Sequence, residues 1–244
     1  MSGDVLVVSG TGTGVGKTVV TAAIAALALA RDDGVAVVKP AQTGTEAGDA
    51  PDTETIRLLT GLTDTHELAR FPDPLSPEAA ARAAGRPPLD LRAAADYVGK
   101  LTESRDLVLV EGAGGLLVRY DPDGGTIADL AAALGAPVVV VAAAGLGTLN
   151  HTALTLEALT TRRITCAGVV IGSWPRWPGL AELANLTDLE AVAGGPLAGI
   201  MPEGAGTLGR REFLAAALAG LGERLGGQAE HRPVRDPNHQ ADAG

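Results

Sequence analysis

Along the chain, short runs of Val, Leu and Ile that are apolar at every position give way to turn residues, then to Ala- and Leu-rich stretches of helical length. Strands that are apolar on both faces belong to a parallel sheet covered by helices on two sides, because only there do both faces of the pleat leave water. The pattern predicts strands over 5–9, 35–39, 107–111, 137–142, 166–171 and 197–200. It predicts helices over 18–30, 52–59, 77–84, 90–103, 126–134, 148–162, 180–193 and 209–225. The expected architecture is α/β, a three-layer, doubly wound, mostly parallel sheet. No repeat or interdomain linker interrupts 1–225, which reads as a single domain. From 226 to 244 Gly, Pro, His, Gln, Asp and Arg leave almost nothing to bury, so a disordered tail is expected.

Composition narrows the functional classes. With 46% hydrophobic and 20% charged residues, the body is an ordinary globule. Nineteen basic residues against 29 acidic ones give a formal charge of −10, which argues against a general surface for nucleic acid or anionic lipid. A phosphate ligand must therefore be held by a local, preorganised site. One cysteine, Cys166, excludes an internal disulfide, and with four histidines no Cys/His zinc pattern forms; Cys166 reads as a core residue. The apolar start at Val5 has no basic segment before it and runs straight into turn glycines, so no signal peptide is expected and the location is cytoplasmic. The long uncharged run over 130–146 is broken by Gly135-Ala136-Pro137 and reads as helix end, turn and buried strand, not a membrane span.

The strongest chemical signal is Gly10-Thr11-Gly12-Thr13-Gly14-Val15-Gly16-Lys17-Thr18 between the first strand and first helix. In that setting glycines let backbone N–H groups turn inward on a polyphosphate, the lysine adds a charge near the β- and γ-phosphates, and the threonine hydroxyl is a Mg²⁺ ligand. The loop is one residue longer than the general G-x-x-x-x-G-K-[ST] pattern, since Thr11 stands at its first position. The fold is therefore expected to be of the P-loop NTPase type.

Two further strands end in chemistry. Glu111 closes Leu107-Val-Leu-Val and is followed by Gly112-Ala113-Gly114-Gly115, which permits close backbone approach to a ligand. The chain has 16 arginines but three lysines, and Lys39 ends the second strand in Lys39-Pro40-Ala41-Gln42-Thr43-Gly44. There it faces the same edge and can reach an anionic reaction centre. Asp49 and Asp52 precede a helix, where either serves as an N-cap or a metal ligand. Thr148-Leu149-Asn150 opens another helix with free N–H groups. Trp174 and Trp177, beside Pro175 and Pro178, are expected to cover an apolar loop.

Together these motifs resemble the dethiobiotin synthetase family of biotin biosynthesis, from about residue 5 to 225, with Gly145-Leu-Gly-Thr-Leu-Asn-His151 as a fourth matching segment. The resemblance implies a Mg²⁺-dependent homodimer that converts 7,8-diaminononanoate, CO₂ and a nucleoside triphosphate into dethiobiotin, the nucleoside diphosphate and phosphate. It assigns Gly12, Thr13, Gly14, Val15, Gly16, Lys17 and Thr18 to the nucleotide. Lys17 and Lys39 become the catalytic lysines, and Thr18, Asp52 and Glu111 the metal ligands, with Asp52 preferred to Asp49 because Ile56 follows one turn later. Thr13, Lys39, Thr43 and Gly114 face the substrate, and Leu149 and Asn150 receive its carboxylate across the dimer interface. Gly172, Ser173, Pro202, Glu203 and Gly204 form the base pocket. At Gly172 the family often has an asparagine that reads adenine; a bare position leaves room for the base and makes CTP a competitor of ATP. A partitioning or septum-positioning switch ATPase is the alternative of the same fold, disfavoured by the acidic chain. Neither nucleic acid nor a membrane is an expected partner.

Overall fold

The computed structural model describes residues 3–44 and 50–229, so 230–244 of the expected tail lie outside the described residues. In chain order the elements are β1 (Asp4–Gly10), α1 (Lys17–Leu29), β2 (Val35–Gln42), α2 (Asp52–Thr60), β3 (Thr65–Arg70), α3 (Pro77–Ala83) and α4 (Leu91–Leu101). They continue with β4 (Leu107–Gly115), α5 (Ile127–Leu134), β5 (Val138–Ala142), α6 (Thr148–Thr161), β6 (Cys166–Trp174), α7 (Leu180–Ala193), β7 (Gly199–Pro202) and α8 (Arg210–Gly220). The strands form one seven-stranded sheet in the order β3-β2-β4-β1-β5-β6-β7, and every pairing between them is parallel.

Alternation along the strands divides the core into two layers, as side chains of period two must. Val7, Val38, Val108, Val110, Val138 and Val140 pack on one face of the sheet with residues of α3 to α7. Val8, Val35, Val37, Leu109, Val139 and Val141 pack on the other with α1, α2 and α8. Helix α1 is almost wholly buried between the sheet and α8, which explains its run of alanines: a bulkier face would not fit. The uncharged run over 130–146 is the end of α5, a left-handed turn at Gly135 and β5, and no described helix is long and apolar enough to cross a membrane.

Strands β4 and β6 run past their predicted ends to Gly115 and Trp174, and three other elements also differ from expectation. Strand β3, Thr-His-Glu-Leu-Ala-Arg, was not predicted: it is an edge strand, only partly buried, so its sequence lacks the apolar run of a buried strand. The helix predicted over 209–225 ends at Gly220; Leu221 turns back to bridge Gly199, and a short 3₁₀ turn follows at Glu223–Leu225. The backbone then runs on to Ala229, with Gln228 N–H donating to the Leu218 carbonyl and Ala229 N–H to that of Leu221. Strand β2 extends through Pro40 to Gln42, although proline cannot donate to a ladder. It is tolerated because the pairing of β2 with β4 ends at Val38 and Val110. The two strands part there, and the opening lies at the sheet's carboxyl edge, where open α/β sheets hold ligands.

Candidate active site

The pleat itself brings the charged residues together. Val37 and Leu109 face α1, so Lys39 and Glu111, two residues further along neighbouring strands, face the same way. There they meet the first residues of α1. The Lys39 ammonium donates to Glu111 Oε1 at 2.9 Å and to the Gly112 carbonyl at 3.1 Å, and pairs with Asp52 Oδ2 at 2.6 Å. The Thr18 hydroxyl lies 2.8 Å from Glu111 Oε1 and 3.1 Å from Asp52 Oδ1. Lys17 donates to the Gly12 carbonyl at 2.9 Å, folding the glycine loop over its own lysine.

Burial sharpens these interactions. Glu111 is 1% exposed and Lys39 3%. Burial alone would lower the Lys39 pKa, but Glu111 and Asp52 outweigh it and hold it above the ordinary lysine value. Burial likewise opposes the charge of Asp52, and Lys39, the Thr18 hydroxyl and Lys17 overcome it, leaving its carboxyl below the usual range. Lys17 goes the other way: burial and then the charge of Lys39 pull it down to about 8 against Glu111 and Asp52.

A cavity of about 790 Å³ opens over this cluster. Its floor holds Thr13, Gly14, Gly16, Lys17, Thr18, Lys39, Asp52 and Glu111, and Thr43 and Gly114 lie on its walls. Asp49 lies outside the described residues. Asp52 is no N-cap: Pro51 takes that position, and the Asp52 N–H donates to Gln42 Oε1 while its carboxylate turns to Lys39 and Thr18. Glu111 Oε2 is buried with no hydrogen-bond partner. A buried, unpaired carboxylate oxygen beside a hydroxyl and a second carboxylate is a hard, all-oxygen donor set that fits Mg²⁺. Among the described residues no three His, Cys, Asp or Glu cluster as a metal site, since the third donor here is a hydroxyl.

The sequence reading missed two parts of the site. Pro74, Leu75, Ser76 and Pro77 form an opposite wall with Val118, from a proline-rich loop whose only signal was helix-start punctuation before α3. Fully buried Tyr120 accepts the Ala113 N–H at 2.7 Å and so pins the glycine turn that follows Glu111. Tyr120→Phe is expected to lower unfolding free energy by about 1–2 kcal/mol, the cost of leaving that N–H without its partner. Urea denaturation checks this; an unchanged midpoint would show that the hydroxyl holds nothing.

The remaining assigned residues lie away from the cavity wall. Leu149 is half-buried and Asn150 exposed at the start of α6, beside Leu146, which is 91% exposed. Ser173, Pro202, Glu203 and Gly204 are exposed at and just past the ends of β6 and β7, which are tied together: Glu203 N–H donates to the Trp174 carbonyl at 2.7 Å, and the Arg176 N–H to Glu203 Oε2 at 3.1 Å. Trp177 covers no apolar loop; it is 83% exposed, with the Arg176 guanidinium over its ring. Nor does Gly172 leave room for a base. A Cβ there would stand 2.1 Å from the Val15 carbonyl oxygen, so the space is filled by the phosphate loop.

A parallel sheet whose first strand turns through a glycine loop into a helix, with a lysine and two carboxylates over the helix start, defines a P-loop nucleoside triphosphatase. The AAA domain family model matches residues 4–207. Over 222 residues the chain is 64% identical to the ATP-dependent dethiobiotin synthetase BioD of Frankia casuarinae, covering 91% of this chain and 93% of that protein. Over 223 residues it is 54% identical to the same-named protein of Streptomyces coelicolor, covering 91% and 94%. The chain belongs to the ATP-dependent dethiobiotin synthetase family. Among solved structures it is similar to the septum site-determining protein MinD of Pyrococcus horikoshii in complex with Mg-ADP, at TM-score 0.55 and 18% identity, covering 93% of this chain and 95% of that one. A likeness at that identity concerns the fold alone.

Proposed function

We propose that this cavity makes dethiobiotin from 7,8-diaminononanoate, CO₂ and ATP. The observation that carries it is the buried Lys39–Glu111–Asp52 cluster over the start of α1, within a chain of this family. The reaction brings two anions together, a carbamate and the γ-phosphate of ATP, and their repulsion is what the site must overcome. One substrate amine forms a C–N bond to CO₂ and loses a proton, giving the carbamate. A carbamate oxygen then attacks the γ-phosphorus as the bond to ADP breaks. The second amine attacks the resulting mixed anhydride at carbon and expels phosphate, closing the ureido ring with loss of its proton.

The backbone of residues 12–16 cradles the triphosphate, and Lys17 follows the β- and γ-phosphates. Lys39, kept charged by its carboxylates, offers its ammonium to the carbamate and the γ-phosphate at once. Thr18, Asp52 and Glu111 would hold Mg²⁺, which supplies charge neutralisation at the phosphate oxygens. Thr13, Thr43 and the Gly114 backbone face the diamine, and the apolar wall of Pro74, Leu75 and Val118 accepts its aliphatic chain. Ser173, Pro202, Glu203 and Gly204 border the base, with Gly172 buried beneath the phosphate loop. The expectation of CTP as a competitor rested on the missing asparagine side chain and on open space at Gly172; that space is taken by the phosphate loop and the relatives are named ATP-dependent, so ATP is the co-substrate proposed. Incubating the purified protein with diaminononanoate, bicarbonate, Mg²⁺ and ATP should yield dethiobiotin and ADP in equal amounts. ATP hydrolysis unaffected by the diamine would instead favour a switch ATPase.

The enzyme acts as a homodimer in the cytoplasm, the start of α6 in one subunit receiving the substrate carboxylate held by the other. Support comes from the exposed Leu117, Leu146 and Leu154 on or near that helix and from Asn150 not being among the residues that line its own cavity. Mixing Asn150→Ala with Lys39→Ala under subunit exchange should restore turnover to some heterodimer sites, up to about a quarter of all sites if pairing is random. No recovery in the mixture would show that each subunit completes its own site.

A further inference from the structure

Helix α2 delivers Asp52 to the cluster, and the first N–H of a helix has no partner within it. Pro51 at the N-cap has no side chain that can accept a hydrogen bond, and the Asp52 carboxylate is committed to Lys39 and Thr18. The Asp52 N–H is satisfied instead from the end of β2: it donates to Gln42 Oε1 at 3.1 Å. The other end of the same amide donates from Nε2 to the Thr43 carbonyl at 3.2 Å. Both partners are backbone groups, one a donor and one an acceptor, so a single orientation of the amide satisfies them. Turned over, it would set NH₂ against N–H and oxygen against oxygen. Gln42 is 9% exposed and lines the same cavity as Asp52 and Thr43. Its backbone is anchored in the sheet, paired with Arg70 of β3, and its carbonyl accepts the Phe71 N–H at 2.9 Å.

We propose that Gln42 is a positioning residue for the metal carboxylate: it ties the first residue of α2 to the end of β2 and so fixes where the Asp52 carboxylate stands against Lys39 and Thr18. Lys39 and Glu111 are held by their strands, β2 on β3 and β4 on β1. Asp52 comes from a helix start, the part of a helix with fewest internal hydrogen bonds, so the freedom in the cluster falls on it. Mg²⁺ demands near-ideal octahedral geometry, and groups that orient a ligand govern affinity for the ion nearly as much as the ligand does. This rests on the reading of Thr18, Asp52 and Glu111 as the residues that would hold Mg²⁺.

The test is calorimetric titration of ATP binding over a series of Mg²⁺ concentrations, with thermal melting, for wild type, Gln42→Met, Gln42→Glu and Thr53→Val. Wild-type ATP binding that ignores Mg²⁺ would remove the underlying reading and this proposal with it; where binding depends on Mg²⁺, the variants test this proposal alone. Gln42→Met keeps the length of the side chain and loses both hydrogen bonds. It should raise the Mg²⁺ concentration for half-maximal ATP binding by about tenfold or more. Gln42→Glu keeps an oxygen for the Asp52 N–H, and its midpoint should be no higher than that of wild type. Thr53→Val removes the hydroxyl bond to Glu67 Oε1 at 2.7 Å, a tie between α2 and β3, and should lower the melting temperature with the Mg²⁺ midpoint unchanged. Where Gln42→Met does not fold, Gln42→Asn, too short to reach the Asp52 N–H, takes its place. A midpoint within about twofold of wild type in the folded loss variant, or an equal rise in Gln42→Glu or in Thr53→Val, would overturn the proposal.

Discussion

Glu111→Gln is expected to lower kcat for dethiobiotin formation by about 10³-fold or more while leaving the fold in place, since glutamine has the same shape and still offers an oxygen to Lys39 and Thr18. Two losses combine. The amide is neutral, so the site no longer holds the negative charge that keeps Lys39 protonated and would bind Mg²⁺. The buried Oε2, unpartnered in the free protein, is the atom that most needs a cation, and an NH₂ in its place repels one. Circular dichroism melting and a Mg²⁺ titration of ATP binding separate the effects: melting should change little, and the Mg²⁺ requirement should rise. A variant that keeps turnover within about tenfold of wild type would remove Glu111 from the chemistry.

Lys39→Met is expected to do more damage to stability than any single change elsewhere in the site. It leaves Glu111 1% exposed with its buried cation gone, and Asp52 loses the same partner. Breaking one side of a buried pair typically costs about 3–5 kcal/mol, because the surviving charge stays desolvated. Catalysis should fall with it, as no other described cation makes an ion pair with both carboxylates. The informative comparison is Lys39→Met/Glu111→Gln. Removing both charges should return most of the lost stability, measured by urea denaturation, and none of the activity. If the single variant is as stable as wild type, Glu111 has another partner. If the double variant recovers turnover, the pair serves folding and not chemistry.

Much of this protein was determined by its sequence alone. Runs such as Val138-Val-Val-Val141 exclude water from both faces wherever they fold, so they specify a covered parallel sheet before any partner is known. The Gly10–Thr18 loop and the face taken by Lys39 and Glu111 were legible for the same reason: the face of a strand residue follows from local periodicity, although β2 and β4 run on past them to Gln42 and Gly115. Strand β3 was not legible, because an edge strand is specified by the neighbour it pairs with, and Thr-His-Glu-Leu-Ala-Arg carries no signal for β2. The tertiary structure also decided between capping and charge pairing for Asp52, since both use the same carboxylate and only the approach of Lys39 and Thr18 distinguishes them. Tyr120, the Pro74–Pro77 wall and the contact of Gly172 with the phosphate loop stayed hidden likewise. Each depends on the distance between segments remote in sequence, and sequence patterns record the period of a chain segment but not which distant backbone will lie against it.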